Sequence, residues 1–205
     1  MKFIDLTHTF TREMPVYPGD QAPVLKQAGG KDKFGFVHFE LQTGMHVGTH
    51  MDAPLHMITG GKKLSDFPVE KFFGNGVLID ARDKDLIDAD VLDGADINPG
   101  DIILVMTGFS EKFGQGEYYQ AYPEVSKSFA ARIIKLGAKM IGLDTPSPDR
   151  PPFAVHKLLL EREILIIENL TNLEALLPMK KFEVIALPAK FDADAAPVRV
   201  VAKIG

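Results

Sequence analysis

The spacing of apolar positions divides the chain near residue 124. Before that point the pattern is one of short, strand-like runs. Phe3–Thr7 is the first, followed by Met14-Pro15-Val16-Tyr17-Pro18-Gly19-Asp20, where two prolines and a glycine enforce an irregular loop. From Phe34 to Thr43 polarity alternates, with Val37, Phe39 and Leu41 on one face and His38, Glu40 and Gln42 on the other, a period that predicts a half-buried strand. Val77-Leu78-Ile79 and Ile102–Met106 are apolar runs bounded by Gly, Asp and Thr, and predict buried strands.

Beyond residue 124 strands and helices alternate. Ser126–Leu136 predicts a helix stopped by Gly137, and Met140–Leu143 a strand. Phe153–Arg162 is helical in pattern and is followed by the strand Ile164–Ile167. Thr171 and Glu174 have the spacing of a capping box for a short helix, Asn172–Leu177. Val184–Leu187 and Val198–Ile204 read as closing strands. Such alternation favours an α/β fold, a mixed sheet with packed helices. A chain of 205 residues is within the size of one core, so residues 1–205 are expected to form a single domain.

Composition narrows the chemistry. The net charge is −5 and no basic stripe occurs, which argues against nucleic acid and anionic membrane as partners. The absence of cysteine excludes disulfides, thiolate metal sites and cysteine nucleophiles. No apolar stretch approaches the ~18 residues that span a bilayer, and Asp5 falls too early for a signal peptide; a cytoplasmic protein is expected.

Three of the six histidines fall in His46-Val47-Gly48-Thr49-His50-Met51-Asp52-Ala53-Pro54-Leu55-His56. Imidazole and carboxylate suit Zn, Mn or Fe. Gly48 and Pro54 oppose a helix here, whereas an extended chain directs His46, His50 and Asp52 to one face, because even spacings share a side. His56 follows the proline and need not ligate. Three ligands leave a position for water, the pattern of a catalytic site. Glu168 stands at the carboxyl end of Ile164–Ile167, where α/β sheets place ligands; the lesser alternative is a helix-capping or surface acid. Spacing leaves His156 undecided. His8 and His38 read as ordinary core or surface residues. Other chemistries fail by inspection: Gly108-Phe109-Ser110-Glu111-Lys112 lacks the second glycine of a nucleophile elbow, and no His-Glu-x-x-His, phosphate loop or Gly-x-Gly-x-x-Gly occurs.

The string His46-x-Gly48-Thr49-His50-x-Asp52-x-Pro54-x-His56 resembles the signature of the metal-dependent cyclase family, which includes bacterial kynurenine formamidases and isatin hydrolases. Asp5-Leu6-Thr7, Tyr17-Pro18-Gly19-Asp20, Gly142–Asp149, His156–Leu159, Glu168-Asn169-Leu170 and Pro197-Val198-Arg199 resemble its other blocks, so the likeness spans nearly the whole chain. The resemblance implies a swivelling β/β/α domain. It implies His46, His50 and Asp52 as ligands of one ion, and Asp52, His156 and Glu168 as ligands of a second. It places His56 at the catalytic acid/base position and Tyr17 beside the substrate. The implied cofactor is Zn²⁺ or Mn²⁺, one or two ions per chain. The implied activity is hydrolysis of a small amide by metal-activated water, foremost N-formylkynurenine to kynurenine and formate in tryptophan catabolism, by a homodimer or larger homo-oligomer. A cyclic amide such as isatin, and a non-catalytic metal-binding paralogue, are the alternatives. Two positions depart from the family. Asp194-Ala195-Ala196-Pro197 stands where Asp-Gly-Ser-Pro is usual, and Tyr17 stands where kynurenine formamidases tend to carry tryptophan. Tyr17, Phe34 or Phe36 would have to supply the aromatic wall.

Overall fold

The protein is described here as a computed structural model covering residues 1–205 apart from the side chains of Lys33 and Phe34, so the roles expected of Phe34 lie outside the described residues. The chain begins with β1 (Lys2–Asp5) and passes through the proline-rich loop to β2 (Val24–Gly29), α1 (Lys31–Phe34), β3 (His38–Gln42) and β4 (His50–Asp52). After three short 3-10 turns come β5 (Phe73–Asp80), β6 (Leu86–Ile87), β7 (Ile102–Met106) and β8 (Glu124–Val125). The remainder is α2 (Lys127–Leu136), β9 (Met140–Leu143), α3 (Ala154–Leu160), β10 (Leu165–Glu168), β11 (Glu183–Pro188) and β12 (Ala195–Ile204).

The main sheet has the order β1-β12-β11-β5-β7-β9-β10-β4, and β12 also pairs with β4. The pairings from β12 round to β4 therefore close on themselves, leaving β1 as an appended strand. β5, β7, β9 and β10 are parallel neighbours, and the remaining contacts are antiparallel. Closure depends on the length of β12, which lays Ala195–Pro197 against β4 and Val198–Lys203 against β11. This is a mixed α/β fold with few helices, as the alternating pattern implied.

Successive residues of the buried strands point to opposite sides, which explains their unbroken apolar runs. Leu104, Met140, Leu165 and Ile167 join Met51, Val184 and Val200 in a cluster contributed by strands all round the ring, and so fill its interior. Ile103, Val105, Ile141 and Ile166 face the other way, onto Phe129 and Ile133 of α2 and Val155 and Leu159 of α3. α2 begins and ends as its sequence predicts: the Ser126 hydroxyl accepts from Phe129 N at 3.0 Å, and Gly137 closes the helix at φ 78°.

Two expectations are corrected. The alternating segment forms a strand only from His38, pairs with β2, and leaves its apolar face largely exposed: Phe39 is 59% exposed and Leu41 55%. An alternating pattern marks an amphipathic ribbon but does not guarantee that the same chain covers it. The Thr171–Glu174 capping box does not form; Leu173–Leu176 is a 3-10 turn entered through Asn172 at φ 59°, with no side-chain cap. Thr171 N instead donates to Leu6 O at 3.1 Å, next to the Thr7–Leu170 bridge, so it serves the sheet.

Leu104, fully buried inside the ring, provides a test of closure. Leu104→Ala should lose about 2–5 kcal/mol of stability, seen as a lower urea midpoint with an unchanged slope. An unshifted midpoint would be incompatible with a filled interior.

Candidate metal centre

β4 pairs with β10 on one side and with the start of β12 on the other, setting Glu168 opposite His50 and Ala195 opposite Asp52. Met51 points into the ring, so His50 and Asp52 share its outer face, the side covered by α3. His46 is not on this strand. It precedes a turn in which Gly48 takes φ +69°, where a Cβ would come within 2.7 Å of the Met14 sulfur, and it reaches Asp52 across that turn. A 3-10 turn opened by Pro54 carries His56 back over the same face. His156 projects from α3, and Asn169, at φ 57°, turns the chain directly after Glu168.

These groups converge. His46 Nδ1 is 2.9 Å from Asp52 Oδ1, and His50 Nε2 is 3.2 Å from Glu168 Oε2 and 3.5 Å from Asp52 Oδ1. His156 Nε2 is 3.1 Å from Glu168 Oε1 and 3.8 Å from Asp52 Oδ2. His156 Nε2 and Glu168 Oε1 have hydrogen-bond geometry, whereas both Asp52 oxygens and His50 Nε2 are buried with no aligned partner. The opposite nitrogens are anchored on acceptors. His50 Nδ1 donates to Gly48 O at 2.8 Å, His156 Nδ1 to Asp149 Oδ1 at 2.6 Å, and His46 Nε2 to Asp194 Oδ2 at 2.9 Å. In a neutral ring, each inward nitrogen then carries a lone pair aimed at a carboxylate. Only positive charge between them reconciles that arrangement, and a divalent cation suits the donor set.

Among the described residues, ligand-capable atoms fall into two groups that share Asp52: His46, Asp52 and His56, and His50, Asp52 and Glu168. This partition differs from that implied by the resemblance, because His50 joins Glu168 rather than His46, and His56 joins His46. His156 adjoins the second group through Glu168. His56 Nδ1 lies 3.3 Å from Asp194 Oδ2, and its ring centroid is 4.1 Å from that of His46.

Sequence reasoning missed several participants. Asp149 holds His156 with one oxygen and accepts Val155 N at 2.7 Å with the other. Asn169 donates to the Gly48 carbonyl that anchors His50, and itself accepts from the Tyr118 hydroxyl at 2.8 Å. A cavity of about 250 Å³ opens beside His46, His56, His156 and Glu168, walled by Tyr17, Tyr119, Phe153 and Met57. Tyr17 meets Tyr119 edge-on at 5.6 Å; Phe36 does not line the cavity.

Closed mixed sheet, buried imidazole–carboxylate centre and adjoining aromatic cavity together define a protein whose grouped histidines and acids could hold a metal ion beside a small cavity. The chain belongs to the Cyclase family, whose model matches residues 4–150. It is 30% identical to a kynurenine formamidase of Bacillus mycoides, over 98% of this chain and 96% of that one. Among solved structures it is 27% identical to a potential metal-dependent hydrolase with cyclase activity, at a TM-score of 0.84 over 98% of this chain and 96% of that one. Isatin hydrolase A from Ralstonia solanacearum shares the fold at a TM-score of 0.88 and 24% identity, covering 98% of this chain and 91% of that one.

Protons are the competing occupants of the centre. Burial opposes charging His46, but Asp52 and Asp194 outweigh it and lift its pKa to about 9. Burial likewise opposes charging His156, while Asp149 and Glu168 lift it to about 10. Both values lie above the unfolded value near 6.5, so in metal-free protein their stabilisation is complete below pH ~6.5 and is lost as pH rises through 9 to 10. Urea unfolding of metal-free protein between pH 6.5 and 10 should therefore show stability falling. A flat profile across that range would contradict the ion-pairing geometry.

Proposed function

We propose that the protein is a metal-dependent hydrolase of carbon–nitrogen amide bonds, with an N-formyl arylamine such as N-formylkynurenine as substrate and formate as one product. One observation carries the reading: three imidazoles, each anchored on its outer nitrogen, present their inner nitrogens to two buried carboxylates at the wall of an aromatic cavity. His46, His50, Asp52, His156 and Glu168 would hold one or two ions of Zn²⁺ or Mn²⁺, with Asp52 shared. When bound, such an ion lowers the pKa of water from 15.7 towards about 7 and polarises a carbonyl oxygen.

The remaining work falls to the chain's own side chains. Tyr17 and Tyr119 give the aryl group apolar walls. His56 lines the same cavity. Burial and the neighbouring His46 hold its pKa below the ordinary histidine value, against the pull of Asp52, so it is neutral and free to accept a proton. The bond broken joins the formyl carbon to the aryl nitrogen. Water supplies the new oxygen on formate, and His56 delivers the proton to the departing amine. Family membership also supports reading residues 1–205 as one swivelling β/β/α domain. We place it in the cytoplasm as a homodimer or larger homo-oligomer; among the described residues no helix is long and apolar enough to cross a membrane.

Elemental analysis followed by turnover of N-formylkynurenine against isatin tests the proposal. Chelation should abolish activity and Zn²⁺ or Mn²⁺ should restore it, whereas full activity in verified metal-free protein refutes the mechanism. Preference for isatin moves the substrate to cyclic amides, and a metal-bound chain that turns over neither is a binding protein.

Substitutions separate the roles. His56→Ala should keep its metal and lose roughly 10²–10⁴-fold in kcat, while His50→Ala should lose metal and activity together. A metal-free His56→Ala protein would make His56 a ligand. Glu168→Gln should lower both metal content and turnover, and unchanged values would return Glu168 to a structural role.

A further inference from the structure

We propose that Asp194 is a positioning residue that sets the tautomers of His46 and His56 together, and so decides which nitrogen of His46 faces the metal. The inference rests on the metal centre described above. A single oxygen, Asp194 Oδ2, lies 2.9 Å from His46 Nε2 and 3.3 Å from His56 Nδ1. A carboxylate oxygen only accepts, and its two lone pairs can take both donors. Each nitrogen facing it therefore carries hydrogen, leaving His46 Nδ1 and His56 Nε2 as the lone-pair positions of the neutral rings.

Asp52 makes this assignment consequential. Its Oδ1 is 2.9 Å from His46 Nδ1, the same separation as on the Asp194 side. The Asp52 contact is not an aligned hydrogen bond, so of the two carboxylates at equal distance only Asp194 takes a hydrogen from His46 in good geometry. Donated to Asp52, it would block the lone pair that a cation needs and would occupy an oxygen of the shared ligand. Donated to Asp194, it frees both. Asp194 is held for this task by the backbone: Ala53 N donates to Asp194 O at 2.8 Å, and the next residue, Ala195, pairs with Asp52. The carboxylate is thus fixed in register with the strand whose ligand it relieves.

The test uses zinc-loaded protein with ¹⁵N-labelled histidine, comparing wild type with Asp194→Ala and Asp194→Asn. Zinc affinity is read by chelator competition and the tautomers by long-range ¹H–¹⁵N spectra. In wild type, His46 should show a protonated Nε2 and a zinc-shifted Nδ1. Asp194→Ala should weaken zinc binding by about 10–100-fold, the usual effect of losing the carboxylate behind a ligating histidine, and its metal-free form, brought to a pH high enough to leave His46 neutral, should show mixed His46 tautomers. Asp194→Asn keeps an acceptor oxygen and should fall between the two; if the alanine variant does not fold, it supplies both readouts. A purely structural role would lower the melting temperature and leave zinc affinity and ring spectra untouched, and that result overturns the proposal while the proposed function stands. A wild-type chain that takes up neither zinc nor manganese overturns both.

Discussion

Asp52 is 1% exposed and neither of its oxygens receives an aligned hydrogen bond. A carboxylate withdrawn from water in that way costs several kcal/mol unless positive charge lies against it. Around it stand Glu168, a second buried acid, and three histidines whose outer nitrogens are already committed. Much of the local structure follows from that demand. The turn at Gly48 brings His46 across, Asp149 and the Gly48 carbonyl fix two ring orientations, and Asn169 accepts left-handed backbone to place its amide on the same carbonyl. Strain of this kind persists where surrounding contacts determine it. Here those contacts include the Tyr118 hydroxyl on Asn169 and the Thr49 hydroxyl on the Asn169 carbonyl, at 2.6 Å.

The closed sheet makes such a centre affordable. With Met51 in the ring interior and His50 and Asp52 on its outer face, β4 ties the centre to the apolar core by strict alternation. A slip of one residue in its pairing would exchange the two sets and bury imidazole and carboxylate among leucines. Because β10 and β12 flank β4 on both sides, the register is specified twice, and each partner delivers an acid: Glu168 from β10, Asp194 from the loop entering β12.

What could be read from the sequence follows the same physics. His50 and Asp52 were legible because period two survives wherever the two faces of a strand differ in polarity, even where both are buried. Glu168 was visible as an acid ending an apolar strand. His156 was undecided from spacing, yet Leu159 and Leu160, three and four residues on, are buried beside it; helical periodicity carried that signal. Asp149 and Asp194 had no such trace, since both sit in irregular loops whose course depends on pairings far away in sequence. The hairpin of β2 and β3 shows the converse. Its alternation is real, with Leu25, Leu41, Gln27 and Phe39 on one face and a Lys26–Glu40 pair on the other, but Phe39 and Leu41 remain more than half exposed.

The distribution of the centre along the chain links cation binding to folding. Residues 46–56 form a local cluster, but Asp149, His156, Glu168 and Asp194 meet it only after the ring has closed. An unfolded chain cannot present that set, so a cation bound by it stabilises the native state alone, by an amount that grows with ligand concentration over Kd. Without the ion, His46 and His156 must retain protons to neutralise Asp52 and Glu168, and the fold loses that support as pH rises. On the proposed reading a cation would do more than supply chemistry. It would replace the titrating imidazolium charges with one that does not depend on pH, and would leave His56 outside that demand.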